Sequence, residues 1–366
     1  MNNKLLSIVL PTYNERENIQ IVLNKIFQLA SDYSLEILIV DDNSTDGTSE
    51  IVKSLAKKDS RIRLIRRVGR SGLSSAIKEG LLNATSDIAV VMDADGQHQP
   101  VDVFFAVKEL IQSKADLVVG SRFLDQARIR GLSERRAIGS NSANTLARIS
   151  LSNSYQNLTD YMSGCFALNL KTCIPFILKI NVNGFKFYYE LLSLSKGSLK
   201  VEEVPLVFES RFYGQSKLDL SVIWDFIISL LHTLTFRVLP RRAISFGLVG
   251  LSGVIVQLIS TNTIMYLFFF SFERALPISI LVAATSNYLI NNALTFRSQR
   301  LFGYSLFKGL TKFLLVSSLP VMANIGLATA FYNSVYQNTL LAQISGICVV
   351  FIWNYVASSR FVWNSP

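Results

Sequence analysis

An apolar run, Ile88–Met92, stops abruptly at Asp93-Ala94-Asp95, with Gly96, Gln97 and His98 behind it. A run of that length reads as a buried strand of a parallel sheet. In open α/β sheets, ligands bind beyond the carboxyl ends of the strands. Two carboxylates two residues apart in that place are costly unless a cation sits with them. Mg2+ or Mn2+ suits the position, because both take hard oxygen ligands and both carry phosphates. The plain alternative is a strand-end turn with solvated aspartates. A lone D-x-D favours that alternative, so the rest of the chain has to decide.

Composition narrows the choice. Of 366 residues, 50% are hydrophobic and 17% charged, with a mean hydropathy of +0.34. This is too apolar for one soluble domain and too charged for an all-membrane protein, and the apolar excess lies in the last third. The formal charge of +10 fits anionic lipid or phosphate-bearing substrates; nucleic acid is not an expected partner. Cys165, Cys173 and Cys348 lack metal-like spacing and a disulfide framework, as in a reducing compartment. With His98 and His232 as the only histidines, a His-based metal site or His-centred triad is not expected. The N-terminus, where a short apolar run meets Pro11 and then Glu15, Arg16 and Glu17, does not read as a signal peptide.

The elements that must carry the aspartates follow a clear rhythm. Strands are expected at Leu5–Leu10, Leu35–Val40, Ile62–Ile65, Ile88–Met92 and Leu117–Gly120. Helices alternate with them: Ile19 to about Ala30, Thr48–Lys57, Ser74–Asn83 and Asp102–Gln112. Such a βαβ sequence predicts a doubly wound parallel sheet. Acidic residues close two of the strands, at Asp41/Asp42 and Asp93/Asp95, along one rim. The dinucleotide fingerprint and the Walker A loop are both missing, which argues against a dehydrogenase or a P-loop NTPase.

The motifs carry a resemblance. P-T-Y-N-E at Pro11–Glu15, V-D-D-N-S-T-D-G-T at Val40–Thr48 and D-A-D-G-Q-H at Asp93–His98 resemble glycosyltransferase family 2, most closely its polyprenol-phosphate mannosyltransferases. The likeness continues through G-L-S-S-A at Gly72–Ala76, G-S-R at Gly120–Arg122, S-G-C-F-A-L at Ser163–Leu168, G-F-K at Gly184–Lys186, E-V-P at Glu203–Pro205 and G-Q-S-K-L at Gly214–Leu218. It spans the first two-thirds of the chain in the family's order. One departure is Cys165, where many relatives carry an aromatic residue.

The resemblance implies a GT-A-type, Rossmann-like α/β catalytic domain over 1–217 and a set of roles. Pro11, Tyr13, Glu15, Val40 and Asp42 would hold the base and ribose of a nucleotide-sugar donor, with Asp93 and Ala94 lining the ribose. Asp95 and Gln97 would ligate Mg2+ or Mn2+, which would neutralise charge on the departing diphosphate. Arg122 and Arg136 match positions associated with an acceptor phosphate; Ser140, one helical turn past Arg136, can add a hydrogen bond. Asp95, Arg122 and Arg136 are thus the expected catalytic residues. Arg211 and Lys217, around Gly214, read as a flap over the donor phosphates. Arg128 and Arg130 read as a solvated face. A lipid monophosphate, with a second pKa of about 6, needs little deprotonation and can itself be the nucleophile. The implied reaction transfers a hexose, mannose from GDP-mannose, to a polyprenyl or dolichyl phosphate with inversion; UDP-glucose is the alternative donor.

Beyond residue 217 the chain turns apolar. Residues 218–243 read as an interfacial amphipathic region. Four hydrophobic segments follow over 244–366: Ile244–Phe272, Leu276–Phe296, Phe313–Tyr336 and Leu340–Phe361, each near the ~20 residues that span a bilayer. This resembles the GtrA-like four-helix transmembrane domain. Arg297, Arg300, Lys308 and Lys312 lie between the second and third segments, so the catalytic domain and both termini are expected in the cytoplasm, at the plasma or inner membrane. Membrane lipids are expected partners, and a homo-oligomer is compatible with such a module. Gly247, Gly250 and Gly253 read as close helix packing, and Asn287, Asn291 and Asn292 as interhelix hydrogen bonding. Two other classes compete: a non-catalytic scaffold or lipid-linked-sugar flippase, which the intact D-A-D-G-Q disfavours, and a processive polysaccharide synthase, whose Q-x-x-R-W-type motif is missing.

Overall fold

The computed structural model describes residues 4–29, 33–69, 72–129, 134–181, 186–209, 220–318 and 339–364. The chain forms two compact units, Met1–Leu234 and Thr235–Pro366.

In the first unit, strands β1 (Lys4–Thr12), β2 (Tyr33–Asp41), β3 (Ile62–Arg66) and β4 (Ile88–Val91) alternate with helices α1 (Ile19–Leu29), α2 (Thr48–Lys58) and α3 (Leu73–Asn83). All four strands run parallel, in the spatial order β3-β2-β1-β4. Their residues are apolar on both faces because both faces are covered. Ile8, Leu10, Ile37, Ile39 and Val90 pack beneath Ile19, Val22 and Ile26 of α1 and Val103 and Val107 of α4 (Pro100–Ser113). Val9, Leu38, Val40, Ala89 and Val91 face Ala76, Ile77 and Leu81 of α3.

The sheet departs from the all-parallel expectation after β4. Strand β5 (Leu117–Ser121) is followed by β6 (Arg128–Ile129), α5 (Glu134–Ser150) and a short 3-10 turn, Asn153–Tyr155. Then β7 (Phe166–Asn169) enters antiparallel between β4 and β5, and β8 (Val201–Pro205) closes the edge parallel to β5. The segment before β7 already lies at the carboxyl rim, with Gly164 against Asp93. From there the chain can re-enter the sheet only downward. Helices α6 (Leu170–Ile177) and α7 (Phe187–Ser195) follow, and β9 (Val207–Phe208) pairs with β6.

Helix α8 (Leu220–Leu234) belongs to this first unit, although the sequence groups it with a separate 218–243 region. Phe226 meets the Tyr189 ring edge-on at 6.0 Å, and Thr233 and Ser193 share a hydroxyl hydrogen bond of 3.0 Å. Both partners lie on α7.

The second unit contains α9 (Arg241–Phe268), α10 (Phe272–Ile290), α11 (described over 304–318) and α12 (Thr339–Phe361). Among the described residues, α9 is the one helix long and apolar enough to cross a membrane. The expected segments shift. Helix α9 stops at Phe268 rather than Phe272, where Phe269 takes a left-handed φ of 53°. Helix α10 begins at Phe272 and gives way to a π turn at Asn291–Thr295. Most of Phe313–Tyr336 lies outside the described residues. A Cβ at Gly253 would run into the Asn287 amide and one at Gly247 would meet the Phe351 ring at 3.2 Å, whereas Gly250 faces open space. Asn292 Oδ1 accepts from Trp363 Nε1 at 3.0 Å and from the Leu301 N–H at 2.8 Å, so the last tryptophan is pinned inside the unit.

Candidate active site

The strand order places the site. β1 has β2 on one side and β4 on the other, so the connections leave in opposite directions and open a crevice beyond their carboxyl ends. Pro11 and Thr12 end β1, and the Met92 N–H donates to the Val9 carbonyl at 3.2 Å, carrying the register up to Asp93. The acidic turn and the P-T-Y-N-E loop therefore share one rim.

Three short segments fix the donor side. Asn14, with φ 55°, donates its N–H to Ser44 Oγ at 2.8 Å and accepts the Thr45 N–H at 2.9 Å, stitching the first two loops together. Pro11 and Val40 are register partners and both are buried. Tyr13 is half-buried. Glu15 accepts from Asn18 Nδ2 at 2.6 Å and donates its N–H to Thr48 Oγ1 at 3.0 Å. The neighbouring carboxylates differ. Asp41 is wholly buried and takes hydrogen bonds from the Ser44 and Ser49 hydroxyls, a structural task. Asp42 accepts from Arg67 Nη1 at 2.8 Å and the Gly72 N–H at 2.9 Å.

The acidic turn is tightly specified. Gly96 has φ 80°, a left-handed conformation that suits glycine and turns the chain so that the Gln97 N–H donates to Asp95 Oδ1 at 3.0 Å. Asp95 is 4% exposed. His98 Nδ1 accepts the Asp93 N–H at 3.1 Å, which requires a neutral imidazole. Burial pushes the His98 pKa down to about 4, partly opposed by Asp95 and reinforced by Arg122 and Lys186. The Gln97 carbonyl accepts the Glu209 N–H at 3.0 Å, and Gln97 Nε2 donates to the Glu209 carbonyl at 3.2 Å. An amide oxygen like that of Gln97 is a ligand type that suits a hard cation. The buried Asp95 carboxylate and the half-buried Gln97 amide on one turn are oxygen donors of the kind a hard divalent ion takes, with phosphate and water completing its coordination. Among the described residues no group of three or more His, Cys, Asp or Glu side chains forms a closed metal cage.

Across from the turn sits an ion-pair cluster. Arg122 donates from Nε and Nη2 to the two Asp160 oxygens at 2.7 and 2.9 Å, and Asp160 is fully buried. Burial works against the Arg122 charge, but Asp160, helped by Asp93, raises its pKa. Lys186, the N-cap of α7, donates to the Met162 carbonyl at 3.2 Å. Burial, and then Arg122, push its pKa down to about 8, opposed by Asp93 and Asp160. Glu203 accepts the Thr159 and Asp160 N–H groups, and burial raises its pKa.

Residues 7–174 match the profile described as glycosyl transferase family 2, and residues 245–363 match the GtrA/DPMS transmembrane domain. A dolichol-phosphate mannosyltransferase of Pyrococcus furiosus is 31% identical over 362 residues, covering 98% of this chain and 99% of that protein. The chain belongs to glycosyltransferase family 2. This glycosyltransferase is also 31% identical over 219 residues, 58% of its length, to 80% of a polyprenol monophosphomannose synthase of Mycolicibacterium smegmatis. Among solved structures, glucosyl-3-phosphoglycerate synthase from Mycobacterium tuberculosis, in complex with Mn2+, UDP-glucose and phosphoglyceric acid, aligns with TM-score 0.47 and 19% identity, covering 64% of this chain and 80% of that one. With its GtrA/DPMS transmembrane domain, the enzyme is a membrane protein.

The glycosyltransferase thus brings together most of the residues expected from its sequence: Pro11, Tyr13, Glu15, Val40 and Asp42 around the first two strand ends, and Asp93, Ala94, Asp95 and Gln97 on the turn. Arg122 is held by Asp160 instead of standing alone. Arg136 and Ser140 lie on α5, with side chains outside the described residues, and Arg211 and Lys217 lie outside them altogether. The root of that segment is nonetheless tied to the acidic turn through Glu209. Sequence reasoning gave no role to His98, Asp160, Gly164 or Lys186. Three of these sat inside quoted motifs, and Asp160 had no motif to mark it.

Gly164 makes a direct test of the turn. A Cβ there would lie 3.0 Å from Asp93 Oδ2 and 3.3 Å from His98 Cε1. Gly164→Ala is expected to displace Asp93 and lower kcat/KM for the donor by about tenfold to a hundredfold with little change in melting temperature, read by steady-state kinetics and thermal unfolding.

Proposed function

We propose that the enzyme transfers a hexosyl group, mannose from GDP-mannose, to a polyprenyl or dolichyl phosphate with inversion, leaving a β-linked lipid-phosphate sugar. The observation that carries this reading is the likeness to a dolichol-phosphate mannosyltransferase across both domains and nearly the full length of each chain. The intact acidic turn at the topological switch point supports catalysis over a scaffold or flippase role.

In this reading Pro11, Tyr13, Glu15, Val40 and Asp42 hold the nucleoside, and Asp93 and Ala94 line the ribose. Asp95 and Gln97 hold Mg2+ or Mn2+, which supplies charge neutralisation for the leaving nucleoside diphosphate. Arg122, Arg136 and Ser140 orient the acceptor phosphate, and Arg211 and Lys217 close over the donor phosphates. The acceptor arrives largely dianionic, so no carboxylate has to take a proton from it. The protein's task is positioning and charge management. Arg122 suits this task because Asp160 fixes its plane and depth while its charge persists. UDP-glucose is the competing donor. The test is purified enzyme with a polyprenyl phosphate and both nucleotide sugars in competition. Preferential mannosyl transfer supports the reading, and glucosyl transfer moves the assignment to the other donor.

The second unit would cross the bilayer four times, with the catalytic unit and both termini in the cytoplasm at the plasma or inner membrane. Cysteines introduced at Ser271 and at Lys308, in a protein lacking its native thiols, are expected to label from opposite sides of sealed vesicles. Labelling from the same side would contradict the topology.

A further inference from the structure

The end of β2 holds a buried ion pair between Asp42 and Arg67, and neither the motifs nor the reaction above gives Arg67 a role. Arg67, just after β3, has a side chain 9% exposed, and Asp42 has one 6% exposed. Taking a guanidinium this far out of water is costly unless its donors are met. Here they are met on all sides. Nη1 donates to Asp42 Oδ1 at 2.8 Å, Nε lies 3.0 Å from Glu79 Oε2, and Nη2 donates to the Ser75 hydroxyl. The Gly72 N–H completes the arrangement, donating to Asp42 Oδ2 at 2.9 Å. Gly72 has φ 91° and ψ 167°, a conformation close to glycine-only, so the amide reaches Asp42 because no side chain is present.

The main chain ties the same groups into the donor rim. The Asp42 N–H donates to the Thr12 carbonyl at 2.8 Å, and the Arg67 N–H to the Asp41 carbonyl at 3.0 Å. The ends of β1, β2 and β3 are thus linked in series, and one side chain from the third sets the carboxylate of the second. The fork geometry matters, because lysine offers a point charge and cannot span Asp42, Ser75 and Glu79 together.

We propose that Arg67 is a positioning residue for nucleotide recognition: it holds the Asp42 carboxylate in the orientation that meets the donor's nucleoside, acting through Asp42 and not on the sugar or the acceptor. This rests on the reading that Asp42 lines the nucleoside pocket. The role predicts a specific pattern. Loss of Arg67 weakens nucleotide binding and leaves the acceptor side and the chemical step alone.

The test is a double-mutant cycle on the full-length enzyme in detergent. The measurements are Kd for GDP and for UDP with Mg2+ by calorimetry, KM for each substrate, kcat at saturation, and Tm. Arg67→Gln is expected to raise the Kd of the preferred nucleotide about tenfold or more, with acceptor KM and saturated kcat near wild type. Arg67→Lys should recover part of that loss, and it serves as the working variant where Arg67→Gln unfolds. In an Asp42→Asn background the same change at Arg67 should cost nothing further. Wild-type nucleotide affinity in Arg67→Gln or Arg67→Lys, with Asp42→Asn weakened, would overturn the positioning role and spare the pocket. Losses that multiply in the double variant would overturn it as well. Unchanged affinity in Asp42→Asn would remove the pocket reading itself, and the inference with it.

Discussion

Asp95→Ala is expected to abolish sugar transfer while leaving the first unit folded. The carboxylate accepts the Gln97 N–H within its own turn, and loss of a hydrogen bond of this kind costs about 1 kcal/mol. Its chemical task in the proposed reaction is larger. A divalent ion at a leaving diphosphate supplies several kcal/mol of charge stabilisation, so the expected drop is about a thousandfold or more. Wild-type enzyme should lose activity in EDTA and regain it with Mg2+ or Mn2+. Gln97→Ala should keep activity but require more metal. Transfer rates, circular dichroism and metal titrations check these outcomes together. Full activity in EDTA would remove the metal from the account.

Arg136→Ala is expected to raise the acceptor KM or lower kcat, with the donor Kd little changed. A charge-assisted contact of this kind contributes roughly 1.5–3 kcal/mol, so the expected loss is about tenfold to more than a hundredfold. Arg136→Lys should recover part of it, because the fork geometry is gone. Arg122→Ala should do more damage. It removes the same kind of contact and also strands Asp160, which is fully buried and accepts two guanidinium hydrogen bonds. Arg122→Ala is therefore expected to lower Tm as well as activity, whereas Arg136→Ala changes the kinetics alone. Steady-state runs with each substrate varied in turn, paired with thermal unfolding, separate the two.

The alternation of apolar strands and amphipathic helices was legible as far as β5 (Leu117–Ser121), because buried strands with both faces covered are continuous apolar runs. β7 was not. Its four residues, Phe166–Asn169, are too short to show a period, and its direction is set by where the chain stands when it arrives at the rim. The acidic turn was legible because two carboxylates at a strand end demand a reason. The partners of the cations were not. Asp160 holds Arg122 across 38 residues of sequence, and Arg67 holds Asp42 across 25; spacing along the chain says nothing about such pairs. His98 was read as one letter of a motif, and its neutral, accepting Nδ1 emerges only from its burial. In the second unit hydropathy found the apolar segments, but their ends depend on Phe269 leaving the helix and on the π turn at Asn291–Thr295.

In the proposed reaction a lipid phosphate attacks the donor sugar directly, from the face opposite the leaving diphosphate. The most direct measurement is the NMR structure of the product formed by purified enzyme from an α-linked nucleotide sugar and a polyprenyl phosphate. The expected product is a β-linked lipid-phosphate hexose, formed with polyprenyl phosphate and not with the corresponding free polyprenol. An α-linked product, or equal transfer to the free alcohol, would contradict it.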